Sequence, residues 1–260
     1  MPNIPEYYSS LPPFLELFQS GFPILTYHKI GNRPRGTRLK GLYVKPSLFK
    51  KQLEELRRER FSSADLLTAT RIQQSNRERA IAITFDDGYA NVLENALEAM
   101  RDTGFRAIQF LVPDRLGQCN EWDSASGEVR EPLMNIAQVK EWLAAGHEIG
   151  SHTLTHPFLT KVPLANAREE IVASKKKLED LFAHEIKHFC YPYGDWNSAV
   201  RDLVQECGYT SACTTEAGVN EPRISPFQLK RFTARYRSRS WKNFRDDAAR
   251  LFRKLVVISI

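Results

Sequence analysis

Short apolar runs alternate with amphipathic stretches along most of the chain. Residues 24–27 read as a strand. In 47–58, Leu48, Phe49, Leu53 and Leu56 fall on one helical face. Residues 81–85 are apolar and β-branched, the pattern of a buried strand. In 90–102, Leu93, Ala96, Leu97 and Met100 share a stripe, and Gly104 stands just beyond as a stop. Residues 107–112 form the next strand, ended by Pro113. A loop with Gly and Ser follows over 116–132, then a helix over 136–145 closed by Gly146, and a short strand over 147–151. Residues 164–182 predict a long helix with Ala167, Ile171, Leu178 and Leu181 inward. After a strand at 187–191, Asn197 can cap a helix running to Cys207, with Gly208 after it. Residues 209–214 and 229–235 complete the strands.

Strands alternating with helices argue for an α/β fold, a parallel sheet with crossover helices. Alternation alone does not separate an open sheet from a barrel, but roughly seven strands in one unit favour a barrel. In both architectures ligand sites gather at the carboxyl ends of the strands. Those ends are where the chemistry-bearing residues fall.

The strand at 81–85 runs into Asp86-Asp87-Gly88-Tyr89. Two adjacent carboxylates at the end of an apolar strand are unfavourable unless a cation compensates them. One can bind a metal while the other stays available as a base. The alternative is a helix N-cap, since a helix follows. The next strand end is Ser151-His152-Thr153-Leu154-Thr155-His156. Two histidines four apart can share one ion if the turn is helical, or they are two solvent-facing loop residues. An Asp with two His is an open set with room for water and substrate. The third end, Cys190-Tyr191-Pro192-Tyr193-Gly194, forces a tight loop. It either aims a backbone N–H at an oxyanion or is an ordinary turn. Tyr27-His28 ends the first strand, and His28 is either a general acid or a structural histidine.

Taken together, TFDDGY, SHTLTH and YPYG resemble, in order and at plausible separations, the first three motifs of the polysaccharide deacetylases. This is the NodB-homology group, carbohydrate esterase family 4. The resemblance runs from about residue 23 to residue 235. LTYHKI and the stretch that follows YPYG look like the poly-N-acetylglucosamine deacetylase branch. It implies a distorted (β/α)7 barrel and removal of an N-acetyl group from an amino sugar in a polysaccharide, oligosaccharide or lipid-linked glycan. It implies Asp86 as base, with Asp87, His152 and His156 holding one divalent ion. Zn2+ is the expected ion, with Co2+ or Ni2+ as alternatives. The backbone at Tyr193 would contact the oxyanion. Many members carry an acid histidine late in the chain, but here no histidine follows His188, so His28 takes that role. Cys190-Tyr191 replaces the Arg of the usual third motif, and Arg231 of LKRF is placed near Asp86. Rival readings are an O-acetyl esterase, a non-sugar amidase, or a non-catalytic glycan-binding protein on the same scaffold.

Composition changes this picture only at its margins. The 260 residues divide into an extension at 1–22, the catalytic unit at 23–236 and a basic segment at 237–260. With 37 Lys and Arg against 31 Asp and Glu, the net charge is +6 and favours anionic partners. No nucleic-acid motif is present, so that partner is set aside. The four cysteines form no CxxC pair, which argues against a cysteine zinc site and for buried thiols. No window approaches the roughly 18 apolar residues of a membrane span. The start of the chain lacks a basic n-region, and prolines interrupt its apolar residues. The expectation is a protein in the cytoplasm or on the inner membrane face. There an amphipathic 237–260 segment either touches an anionic surface or packs on the barrel.

Overall fold

The computed structural model describes residues 4–71 and 79–236, with only the backbone of Thr70 and Arg71. The basic 237–260 segment lies outside the described residues. The main sheet joins β1 (Ile24–Tyr27), β4 (Phe61–Ser63), β5 (Arg79–Phe85), β6 (Ile108–Leu111), β7 (Glu148–Ser151), β8 (His188–Cys190), β9 (Ser211–Cys213) and β10 (Phe232–Thr233). Its order is β10-β1-β5-β6-β7-β8-β9, with β4 beside the first half of β5. Every pairing is parallel. β2 (Lys29–Ile30) and β3 (Tyr43–Val44) make a separate parallel pair.

The segment from Leu229 to Thr233 bridges the two edges of the sheet. Leu229 N–H donates to Ala212 O beside β9, and Phe232 then lies opposite Leu25 of β1. The sheet therefore curls round, the distorted barrel expected. Its inner face packs Ile24, Ala82, Ile108, Phe110, Cys190 and Cys213. The outer face receives α2 (Pro46–Arg58), α4 (Ala90–Thr103), α5 (Ile136–Ala144), α6 (Leu164–Phe182) and α7 (Ser198–Glu206).

The helices follow their stripes. α2 buries Phe49, Leu53 and Leu56, and α4 buries Leu93, Ala96 and Met100. Gly104 ends α4 in the left-handed conformation, as a stop glycine should. Asn197 caps α7 by accepting from Val200 N–H, and Asn135 makes a capping box with Gln138 on α5. Leu181 is only half-buried in α6. Ser174 takes the inward position because its hydroxyl meets Ser151 Oγ at 2.7 Å.

Two further helices were not foreseen, α1 (Leu15–Ser20) and the single turn α3 (Thr68–Arg71). The residues ahead of β1 pack on the barrel. Tyr8, Phe14 and Phe18 are buried, and the rings of Phe14 and Phe18 lie 5.3 and 5.5 Å from Phe232. All four cysteines are unpaired thiols, with Cys190 and Cys213 buried. Among the described residues no helix is long and apolar enough to cross a membrane.

Candidate metal centre and cleft

β5 lies between β1 and β6, so its carboxyl end opens at the middle of the sheet. Asp86 N–H still donates to Tyr27 O at 2.9 Å, which carries the strand direction one residue further. Asp87 and Gly88 then turn left-handed, at φ 74° and 80°. That reversal lets consecutive carboxylates face one cleft. α4 is capped by Tyr89 without a side-chain bond, so neither aspartate serves as its N-cap.

The two carboxylates have different partners. Arg231 donates Nη1 to Asp86 Oδ1 at 2.7 Å and Nη2 to Oδ2 at 2.8 Å. Thr26 Oγ1 donates to Oδ2 at 3.3 Å. Burial disfavours the charged form of Asp86, but the charge and hydrogen bonds of Arg231 outweigh it and hold the carboxyl below its usual range. Asp87 instead meets the histidines. Its Oδ1 lies 3.3 Å from His152 Nε2 and 3.4 Å from His156 Nε2. Burial opposes its ionisation too, yet the two imidazoles hold it well below the carboxylate range.

The turn after β7 brings the histidines together through strain. Thr153 and His156 both have positive φ, at 64° and 73°. Thr153 Oγ1 accepts His156 N–H at 3.0 Å and donates to His152 O at 2.6 Å, closing the turn on itself. Of seven described non-glycine residues with positive φ, Asp87, His156 and Tyr193 line this one cleft, and Thr153 lies in the turn between its two histidines. Each left-handed residue costs roughly 1 kcal/mol or more, so this clustering marks a constrained functional site.

Asp87, His152 and His156 fit a divalent cation. Ligand bonds of about 2.0–2.1 Å meeting at a tetrahedral angle place donors roughly 3.4 Å apart, which is the spacing found. His152 Nδ1 sits 2.7 Å from the Cys190 carbonyl. A carbonyl only accepts, so Nδ1 carries a proton, and a cation held with Asp87 would take the Nε2 lone pair. Burial lowers His152, but Cys190 and Asp87 more than reverse it, whereas burial leaves His156 below its usual value. Asp86, His152 and Cys190 also come close. That second combination is a poor ligand set, because Arg231 claims both Asp86 oxygens and burial pushes the Cys190 thiol up to about 11.

His28, Asp86, Asp87, His152, His156 and Tyr193 all line one cleft of about 450 Å³. His28 Nε2 is 3.9 Å from Asp86 Oδ2, and burial lowers its pKa despite both aspartates. Tyr193, at φ 59°, places its ring 4.6 Å from His156 and stacks on Phe158 at 3.8 Å. Arg231 stands beside Asp86 as expected. Trp122, which no sequence signal marked, stacks on His156 at 4.5 Å. It comes from the 116–132 stretch, whose apolar pattern is that of any loop.

The polysaccharide deacetylase profile matches residues 73–212. The chain is 31% identical over 135 residues to a peptidoglycan-N-acetylglucosamine deacetylase of Bacillus cereus, covering 52% of this chain and 55% of that one. It is 29% identical over 143 residues to the chitooligosaccharide deacetylase of Azorhizobium caulinodans, covering 54% and 59%. The chain thus spans about half the length of the curated relatives it matches. Its fold is similar to that of IcaB from Ammonifex degensii, with a TM-score of 0.71 at 20% identity over 88% of this chain and 96% of that one. The profile match over more than half of the chain, on a curled parallel sheet with these strand-end motifs, places the protein in the polysaccharide deacetylase family.

Proposed function

We propose that the chain hydrolyses the N-acetyl amide of an amino sugar in a glycan. Asp87, His152 and His156 would hold one divalent cation, Zn2+ by donor type. When bound, the cation supplies Lewis acidity that polarises the acyl carbonyl and acidifies water. The observation that carries the reading is the division of labour between neighbouring carboxylates. Asp87 faces two imidazoles at 3.3 and 3.4 Å, and Asp86 faces Arg231 at 2.7 and 2.8 Å.

Asp86 is kept ionised and oriented, so it is ready to take a proton from the attacking water. The water oxygen bonds to the acyl carbon, the C–N bond breaks, and the proton ends on the leaving nitrogen. His28 rests neutral, since burial disfavours its charged form. It therefore accepts a proton at Nε2, 3.9 Å from Asp86 Oδ2, before it gives one to the amine. The Tyr193 turn lies across the cleft, where its backbone would meet the developing oxyanion. Trp122 and Tyr193 offer apolar walls to a sugar ring. The similarity to a peptidoglycan-N-acetylglucosamine deacetylase of Bacillus cereus and to a chitooligosaccharide deacetylase of Azorhizobium caulinodans supports the substrate class.

The test pairs acetate release from N-acetylated oligosaccharides with metal content. Asp86→Asn should keep its metal and lose about 100-fold or more in kcat. His152→Ala should lose both metal and activity. Near-wild-type acetate release by Asp86→Asn would overturn the assignment. His28→Ala assayed on an N-acetyl sugar and on an O-acetyl ester separates the amidase from the esterase reading. The poorer amine leaving group should suffer more.

A further inference from the structure

At the opposite end of the barrel, a second group of metal-type donors converges. His188 begins β8 and Glu148 begins β7, both with their side chains on the inner face of the sheet, as Cys190 and Ile108 show for the same registers. Asp65 lies on the turn between β4 and α3. His188 Nε2 is 3.6 Å from Asp65 Oδ2 and 3.8 Å from Glu148 Oε2. The three ligand atoms all lie within 4.8 Å of one another.

His188 is 1% exposed, and its Nε2 is fully buried without a hydrogen-bond partner. An orphaned buried ring nitrogen is unusual. Its other nitrogen, Nδ1, meets Ser211 Oγ at 2.8 Å. Donation from Nδ1 to that hydroxyl would leave the Nε2 lone pair pointing at the carboxylates. Two carboxylate oxygens brought this close repel each other unless a cation joins them. His188 and, more weakly, Lys187, which pairs with Glu185 at 3.3 Å, hold the Asp65 carboxyl below its usual range and so keep it anionic. Asp65 Oδ1 already accepts Leu67 N–H, which leaves Oδ2 turned to His188.

We infer that Asp65, Glu148 and His188 form a second divalent-cation site at the amino-terminal mouth of the barrel. The donor set is one imidazole and two carboxylates, the mixture that suits zinc or another first-row divalent ion. The distances exceed those in the first centre. Both carboxylates, however, are partly exposed and can close on an ion by side-chain rotation, with water completing the shell. Glu148 precedes His152 by four residues, so a strand rise of about 3.3 Å per residue puts the two sites roughly 13 Å apart. The site is structural. It ties the β4–α3 turn, whose Leu66 and Ala69 pack into the barrel's inner cluster, to the starts of β7 and β8.

The experiment uses the full chain carrying Asp87→Ala and His152→Ala, which disables the first centre. After equilibrium dialysis against micromolar ZnCl2, that protein should retain one zinc per chain. X-ray absorption should show nitrogen and oxygen ligands without sulfur. Adding Asp65→Asn with Glu148→Gln, two partly exposed positions that should leave folding intact, should abolish the retained zinc. The zinc-induced rise in Tm should vanish with it. His188→Gln should do the same. The inference is overturned if the first-centre variant retains no zinc. It is also overturned if the Asp65→Asn, Glu148→Gln protein holds as much as its parent, which would leave a plain histidine–carboxylate contact as the account of the cluster.

Discussion

Arg231 grips both oxygens of Asp86 from 145 positions further along the chain, at 2.7 and 2.8 Å. The pair is almost wholly buried, and Arg231 Nη1 also reaches Thr84 Oγ1 at 3.0 Å. A buried bidentate pair of this kind orients a carboxylate more than it stabilises a fold. Arg231→Met should leave Asp86 buried and unpaired and lower stability by about 3–5 kcal/mol in urea unfolding. Arg231→Lys keeps a charge but loses the fork. It should fold, hold its metal through the separate Asp87 set, and release acetate about 10–100-fold more slowly. Full activity in Arg231→Lys would show that the fork does not position the base.

The same pair shows where sequence reading reaches and where it stops. Asp86, Asp87, His152 and His156 were legible because each sits where an apolar strand ends, and a polar cluster there has no packing role. The five longer helices were legible because their stripes are local, whereas α1 and the single-turn α3 are too short to show one. Trp122 was not, because its place against His156 depends on how a loop folds back. The burial of Tyr8, Phe14 and Phe18 was hidden for a similar reason. Their partner Phe232 lies at the other end of the chain, and prolines break the local pattern around them.

Glu128 joins two loops that border the cleft. Its Oε2 accepts the N–H groups of Arg38 and Leu39 at 2.8 and 2.6 Å. Its Oε1 lies 4.0 Å from Lys29 Nζ, which is fully buried over the rings of Tyr43 and Tyr89 at 4.8 and 4.5 Å. Glu128→Ala removes the acceptor for both amides and the counter-charge for Lys29. It should destabilise the protein by about 3 kcal/mol. Trypsin should then cut faster at Arg35 and Arg38. Glu128→Gln keeps an acceptor and should show a smaller loss on both measurements. Equal proteolysis rates in all three proteins would rule out the linking role.

Gly150 lies on the inner face of β7, directly under Phe110. A Cβ there would stand 2.6 Å from two carbons of the Phe110 ring and 2.9 Å from the His188 carbonyl. The glycine is a packing requirement, not a turn. Gly150→Ala should lower stability by about 1–3 kcal/mol, the usual range for overpacking. Phe110→Leu in that background should recover part of the loss, because the ring contact goes while the carbonyl contact stays. A Gly150→Ala protein with an unchanged urea midpoint would show that the barrel can dilate at this layer.

His147 should make stability depend on pH on the acid side of neutrality. Its ring packs on Trp142 at 4.3 Å, and Nδ1 accepts Ala107 N–H at 3.3 Å, which requires the neutral form. Burial, helped by the charge of Arg106, lowers its pKa from 6.5 to about 4. Between those values the unfolded chain binds a proton that the folded chain refuses. Stability therefore rises with pH across this window and is lost as pH falls from about 6.5 towards 4. The contribution is on the order of 2 kcal/mol, allowing for screening by nearby solvent. Urea midpoints measured from pH 7 to pH 5 in EDTA should fall more steeply for the wild type than for His147→Asn, which keeps an acceptor but does not titrate. EDTA removes any proton uptake linked to metal release from both proteins. Parallel pH profiles would mean that the His147 ring is protonated in the folded state and that the Ala107 bond does not hold it neutral.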